Sequence, residues 1–331
     1  MSLPRINLNP PFNITRCSHV CLEVRDLAAS RLFYEQVIGL VVTAEEDGVL
    51  YLRGIEEACH HSLVLRQVKG ETKCSRIGMR VLTEEDLDKA YAYFSGKGCK
   101  AEWANVAHQG RTLDVTDVCG IPLQFCARMP VEPRQITSFH NHRGGVALRI
   151  DHYQILVPDL SKALNFYMEL GFWLTEYVGI DDESVRAVFL QRKGNPHDIV
   201  FFNGDGPRIH HFAYMTTETQ NLLRACDVAG ELGFGRQVER GPGRHGPGHA
   251  LFVYFRDPDG HRVELFNTHY QVMDLENEPI RWDPNDPAVA FPWGMPARKR
   301  WFEEATKFRD VEVRETPNRP TPMTLERYLQ Y

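Results

Sequence analysis

The residues best suited to hold a divalent ion stand in the second half of the chain. They are His152, one of the adjacent pair His210 and His211, and Glu264 in the run Arg262-Val263-Glu264-Leu265-Phe266. Two neutral imidazoles and one carboxylate on one side of a metal are the facial set of a mononuclear Fe(II) site, which leaves neighbouring positions open for a substrate and O2. Each candidate lies in a short apolar run that reads as a strand. Around Glu264, period-two alternation sends Val263 and Leu265 to the opposite face. A lone carboxylate among core residues needs a partner, because burying it unpaired is costly. His210 and His211 point to opposite faces of their strand, and the local pattern does not choose between them.

The elements that must position these residues belong to an internal repeat. Ser18-His19 through Asp26-Leu27, followed by Phe33-Tyr34 and Gly39, recurs as Asp151-His152 through Asp159-Leu160, followed by Phe166-Tyr167 and Gly171. Both stretches read as a strand feeding a helix. In the second copy Asp159 is an N-cap, Leu160, Ala163, Leu164 and Tyr167 fall on one helical face, and Gly171 stops the helix. Later, Asp117-Val-Cys-Gly120 and Gln124-Phe125 match Asp257-Pro-Asp-Gly260 and Glu264-Leu-Phe266, each a turn followed by a strand. The copies differ where chemistry is at stake. Gln124 stands where the second copy has Glu264, and the Arg76–Met79 stretch corresponding to the strand of His211 has no histidine. We expect the first copy to fold without a metal.

The bulk composition is that of a soluble globular chain long enough for two cores: 331 residues, 43% hydrophobic and 25% charged. A net charge of −6 without a basic block argues against a nucleic-acid partner and for a small one. No apolar stretch approaches a membrane span, and MSLPRINLNPPF has no secretory core, which places the protein in the cytoplasm. The eight cysteines form no CxxC pair and read as small buried hydrophobes. Residues 128–147, rich in Pro, Gly and polar residues, read as the connection between copies. Past residue 270 the chain is charged, Pro-rich and studded with Trp282, Trp293 and Trp301, too aromatic for plain disorder. It reads as an extension packed over the second copy.

Over about residues 15 to 305 the chain resembles the vicinal oxygen chelate superfamily, and within it the two-domain extradiol dioxygenases of the homoprotocatechuate and catechol 2,3-dioxygenase branch. The most specific part is Gly243-Arg244-His245, then Val253-Tyr254-Phe-Arg-Asp257-Pro258-Asp-Gly260-His-Arg-Val-Glu264, which looks like the ring-cleavage signature. The resemblance implies an α+β fold of paired βαβββ modules. It divides the chain into an arm (1–14), a metal-free module (15–127), the connection (128–147), a catalytic module (148–270) and an extension or lid (271–331). It also implies His152, His211 and Glu264 as ligands of Fe(II), with Mn(II) accepting the same set. His197 becomes the acid/base, Tyr254 and His245 become hydrogen-bond donors beside the ligands, and the assembly becomes a homotetramer. With an unperturbed pKa near 6.5, His197 would exchange protons around neutral pH. The partners are then an aromatic diol and O2, with extradiol cleavage giving a ring-opened semialdehyde in aromatic catabolism.

The sequence departs from homoprotocatechuate enzymes at substrate positions. Where those carry an arginine pair, Val289 and Ala290 stand here; an asparagine becomes Gln154, and a pocket tryptophan becomes Phe189. Without the pair, a substrate carboxylate loses its bidentate partners. We therefore expect an uncharged, alkyl- or aryl-bearing catechol or a trihydroxylated ring, with Arg240 either contacting substrate or steadying its glycine-proline loop. The rival readings are a carboxylated catechol as substrate, a glyoxalase-like metal isomerase, and a metal-free binder of a small aromatic.

Overall fold

The computed structural model of the chain describes residues 3–179, 185–284, 286, 292–317 and 324–330. The first copy begins with β1 (Ile14–Val24), whose exit residue Asp26 caps α1 (Leu27–Leu32) by accepting the backbone N–H groups of Ala28 and Ala29. A wider turn, Phe33–Ile38, continues the helix to Gly39, whose φ of +85° is the left-handed conformation that ends it. There follow β2 (Val41–Glu46), β3 (Val49–Arg53), β4 (Leu63–Gln67), β5 (Cys74–Val81), α2 (Glu84–Gly96), β6 (Lys100–Ala104), β7 (Thr112–Thr116) and β8 (Pro122–Cys126). Their sheet order is β2-β3-β4-β1-β5-β8-β7-β6, two βαβββ units joined between β1 and β5.

The second copy repeats this plan with β9 (Arg149–Val157), α3 (Leu160–Glu169), β10 (Trp173–Gly179), β11 (Val185–Gln191), β12 (Ile199–Asn203), β13 (Arg208–Met215), α4 (Thr219–Glu231), β14 (Val238–Arg244), β15 (Leu251–Arg256) and β16 (Arg262–Asn267). The order β14-β15-β16-β13-β9-β12-β11-β10 is that of the first sheet, strand for strand. The architecture is the expected duplicated α+β one. Asp159 caps α3 by accepting from Lys162, and the helix buries Leu160, Ala163, Leu164 and Tyr167 as its spacing predicts. The extension contributes β17 (Ile280–Trp282), parallel to β10, and β18 (Thr306–Lys307), antiparallel to β13.

The copies clasp one another reciprocally. Tyr34, in the first copy, donates its hydroxyl to Asp257 of the second at 3.0 Å, and Tyr167, in the second, donates to Asp117 of the first at 2.9 Å. Each aspartate also accepts two backbone N–H groups of its own turn, from Cys119 and Ile121 or from Asp259 and His261. A buried carboxylate is thus supplied with three donors, one of them from the other copy. Tyr153 adds a further link, donating to the carbonyls of His19 and Gly78. One hydrophobic cluster runs through both copies, from Phe12 and Phe94 to Phe201 and Phe255.

His152 is the fourth residue of β9, since Arg149 and Ile150 already pair with Met215 and Tyr214. One expectation about local structure is corrected. The glycine-proline stretch from Gly241 is not a loop throughout, because β14 pairs with β15 as far as Arg244. All eight cysteines are free.

Candidate metal centre

Strand β13 lies between β9 and β16, so it decides which side chains meet. Ala213 is paired with His152 on one side and with Glu264 on the other. His211, two residues earlier, shares Ala213's face of the strand. The methyl of Ala213 leaves the space into which the three larger groups converge. His152 Nε2 lies 3.2 Å and His211 Nε2 3.1 Å from the same oxygen, Oε2 of Glu264. The three ligand atoms are within 4.8 Å of one another, and no other such group occurs among the described residues. All three side chains are buried. Two imidazole nitrogens and a carboxylate oxygen aimed at one point fit a divalent ion, with neutral nitrogen and anionic oxygen in the facial proportion.

The far nitrogens of both rings are held. His152 Nδ1 meets Asp151 Oδ2 at 3.0 Å, and that buried carboxylate also accepts from Asn195 Nδ2 at 3.1 Å and faces Lys193 Nζ. His210 Nε2 sits 2.7 Å from the carbonyl of Trp301 and must donate to it. Its Nδ1 is then an acceptor for His211 Nδ1–H at 2.9 Å. That tautomer leaves the Nε2 lone pair of His211 directed at the centre. His210 therefore orients its neighbour and points away from the cluster.

Electrostatics follow from these contacts. Burial pushes the Glu264 carboxyl up, but the imidazoles of His152, His211 and His245 gathered against it outweigh burial and hold the group well below the usual carboxylate range. His152 is lowered by burial but raised further by the carboxylates of Asp151 and Glu264 on either side of the ring, so its pKa rises. Burial brings His211 down to about 4 despite Glu264. Burial also holds His197 well below its ordinary value, reinforced by His152 and His269. This corrects the expectation of a group titrating near 6.5: His197 rests as a neutral base.

The structure brings His197, Tyr254, His245, Phe189 and Gln154 around this cluster. The His197 ring stands 4.4 Å from that of His152, and its Nδ1 has no hydrogen-bond partner among the described residues. Tyr254 Oη is 2.9 Å from His245 Nε2, which lies 3.4 Å from Glu264 Oε1. Phe189 meets His197 edge-on at 5.3 Å and belongs to an apolar wall with Ala187 and Val200. Gln154 follows His152 on the same strand face and is paired with His211. Arg240 lies over the rings of Trp301 (4.5 Å) and Phe252 (4.9 Å), with a buried Nε that has no partner among the described residues. Val289 and Ala290 lie outside the described residues.

His269 escaped the sequence reading. Its ring stacks on Phe266 at 4.3 Å and stands 4.8 Å from His197, but neither a repeat partner nor a motif marks it. Asp151 had a signal in the Asp-His pair that replaces Ser18-His19. In the first copy other side chains fill the corresponding space. Gln124 Oε1 accepts from Gln109 at 3.0 Å and lies 2.9 Å from His19 Nε2. Gln124 Nε2 donates to Asp114, whose other oxygen pairs with Arg76 at 2.8 Å. By register Arg76 corresponds to His211 and Asp114 to Tyr254. A guanidinium supplies the positive charge there.

The chain is similar to known proteins over most of its length. The Glyoxalase/Bleomycin resistance protein/Dioxygenase superfamily matches residues 16–125 and 149–265. A manganese-dependent 2,3-dihydroxybiphenyl 1,2-dioxygenase of Geobacillus genomosp. 3 is 27% identical over 302 residues, covering 86% of this chain and 95% of that protein. A metapyrocatechase of Pseudomonas sp. (strain CF600) is 27% identical over 288 residues, covering 82% and 92%. The anaerobic complex of homoprotocatechuate 2,3-dioxygenase from Brevibacterium fuscum with 3,4-dihydroxyphenylacetate superposes with a TM-score of 0.88. It is 36% identical, covering 95% of this chain and 99% of that one.

Proposed function

The chain belongs to the Glyoxalase/Bleomycin resistance protein/Dioxygenase superfamily, and from that premise we propose that His152, His211 and Glu264 hold the divalent ion at which it opens an aromatic diol with O2. It is an extradiol ring-cleaving dioxygenase, as its full-length relatives are. The observation that carries the site assignment is the convergence of three buried ligand atoms from three adjacent strands. Held by these three residues, a divalent ion would supply the positive charge that lowers the hydroxyl pKa of a catechol and the redox chemistry that activates O2.

The chain's own residues then do the following. His197, neutral and with no Nδ1 partner among the described residues, takes a proton from the bound diol and returns it as the ring opens to the semialdehyde. Tyr254 and His245, hydrogen-bonded to each other beside Glu264, offer donors to the oxygen of the bound diol. Phe189, Ala187 and Val200 exclude water from the ring's far edge. Gln154 lies beside the ligands, where a diol substituent would meet it. Fe(II) is the ion we assign. Mn(II) accepts the same set, and a relative is named for manganese.

The apolar wall and the residues Val289 and Ala290 in place of an arginine pair support an uncharged alkyl- or aryl-substituted catechol. A second reading, a carboxylated catechol, is favoured by one observation: the Arg240 guanidinium faces aromatic rings with a buried Nε that has no partner among the described residues. Anaerobic purification, metal analysis and addition of a catechol panel with O2 test the whole reading. A yellow ring-fission product is expected, and its absence from every metal-loaded sample refutes ring cleavage. A much higher kcat/KM for 3,4-dihydroxyphenylacetate than for catechol and methylcatechols selects the second substrate reading. No helix among the described residues is long and apolar enough to cross a membrane. We assign the enzyme to the cytoplasm as a homotetramer on resemblance, which light scattering after gel filtration checks.

A further inference from the structure

Glu176 is a fully buried carboxylate in β10 that touches none of the candidate ligands. Three parts of the chain donate to it. The backbone N–H of Gly248 reaches Oε1 at 2.8 Å, the Tyr270 hydroxyl reaches the same oxygen at 2.5 Å, and the Trp282 indole N–H reaches Oε2 at 2.5 Å. Gly248 belongs to the turn after His245, Tyr270 follows His269, and Trp282 ends β17, whose pairing sets Ile280 beside Glu176.

The turn is pressed against the chemistry. Gly248 has a φ of +68°, and a Cβ there would lie 3.2 Å from His197 Cε1 and 3.2 Å from His269 Nε2. Its backbone therefore forms one side of the box around the His197 ring, with Phe189, His152 and His269 on the others. The repeat isolates the feature. Ala44 occupies the Glu176 position in the first copy, with the same register irregularity: Ala44 opposite Tyr51 there, Glu176 opposite Phe189 here. A buried carboxylate was placed on this strand only in the copy with the ligands.

We propose that Glu176 is a positioning residue: it clamps the Gly248 turn against His197 and ties the C-terminal extension to the same point through Trp282. The inference rests on His197 being the acid/base, and its test separates the two. Glu176→Ala, which carries the first copy's residue, is compared with Trp282→Phe, which removes one donor alone. Hydrogen exchange, metal content and steady-state kinetics are measured on the full chain. In Glu176→Ala, exchange in the 245–250 segment accelerates about tenfold, the effect of losing one hydrogen bond in a locally opening segment, and exchange in 270–282, which loses two, accelerates at least as much. Strands β9, β13 and β16 keep their protection and the metal content stays at the wild-type level. Ring cleavage loses kcat by a similar factor with little change in KM. Trp282→Phe loosens 270–282 only and keeps kcat.

The proposal is overturned if Gly248 stays protected in Glu176→Ala, if the acceleration spreads through β9, β13 and β16, or if Trp282→Phe lowers kcat as much. If the wild type cleaves no catechol, the assigned activity fails, and the exchange pattern still decides whether Glu176 clamps the turn.

Discussion

Replacing Asp151 tests the centre without touching a ligand. This carboxylate is 2% exposed, receives His152 Nδ1–H at 3.0 Å and Asn195 Nδ2 at 3.1 Å, and faces Lys193 Nζ at 3.6 Å. It has two effects on His152: it fixes the ring so that Nε2 points at Glu264, and its charge makes that nitrogen a stronger donor. Asp151→Asn keeps an acceptor for Nδ1–H but removes the charge, whereas Asp151→Leu removes both. Loss of an outer partner of this kind costs about 10- to 100-fold in metal affinity, or about 1.4–2.7 kcal/mol. We therefore expect about tenfold for Asn and about a hundredfold for Leu. Lys193 also pairs with Asp198 at 2.7 Å, a contact neither substitution touches, which limits collateral loss of stability. The first copy sets a precedent, since neutral Ser18 takes this place 3.0 Å from His19 Nδ1 where no carboxylate ligand exists. The assay is anaerobic competition for Fe(II) or Mn(II) against a chromophoric chelator. An Asp151→Leu affinity within about twofold of wild type would refute the argument that the outer carboxylate tunes the centre.

Glu264→Gln, which imports the residue found at Gln124, is expected to leave a folded protein that loses its ion on desalting; retention of full metal and activity would overturn the ligand assignment. His197→Gln should keep the ion yet lower kcat by about 10²- to 10⁴-fold, the usual share of general acid–base catalysis, as stopped-flow turnover would show. Tyr167→Phe and Tyr34→Phe each strip a buried aspartate of its donor from the other copy and should cost about 1–3 kcal/mol in urea unfolding. Burial raises Asp117 to about 6 against its hydrogen bonds, from 3.8 when unfolded. Its proton is held more tightly in the folded state, so its contribution to stability grows as pH falls through 6 and is lost as pH rises. Wild type should therefore gain about 1 kcal/mol over Asp117→Asn between pH 7.5 and pH 5, and an unchanged difference would contradict the shift.

Local sequence determined much of the scaffold. Asp159 and Gly171 mark the ends of α3 because capping and left-handed termination depend on neighbours within a turn. The repeat exposed Gln124 against Glu264, and so the copy in which to look. Tertiary structure decided the rest. His210 and His211 are equivalent by local pattern; the pairing of β13 with β9 and β16 puts Ala213 and His211 on the ligand side, while Trp301 of the extension takes up His210. His269, Glu176 and the crossed tyrosine–aspartate clasp likewise acquire meaning only from partners far along the chain. Strand alternation can be read locally because its period is two. Which strands become neighbours, and in what register, is settled by burying whole sheet faces together, a property no short stretch contains.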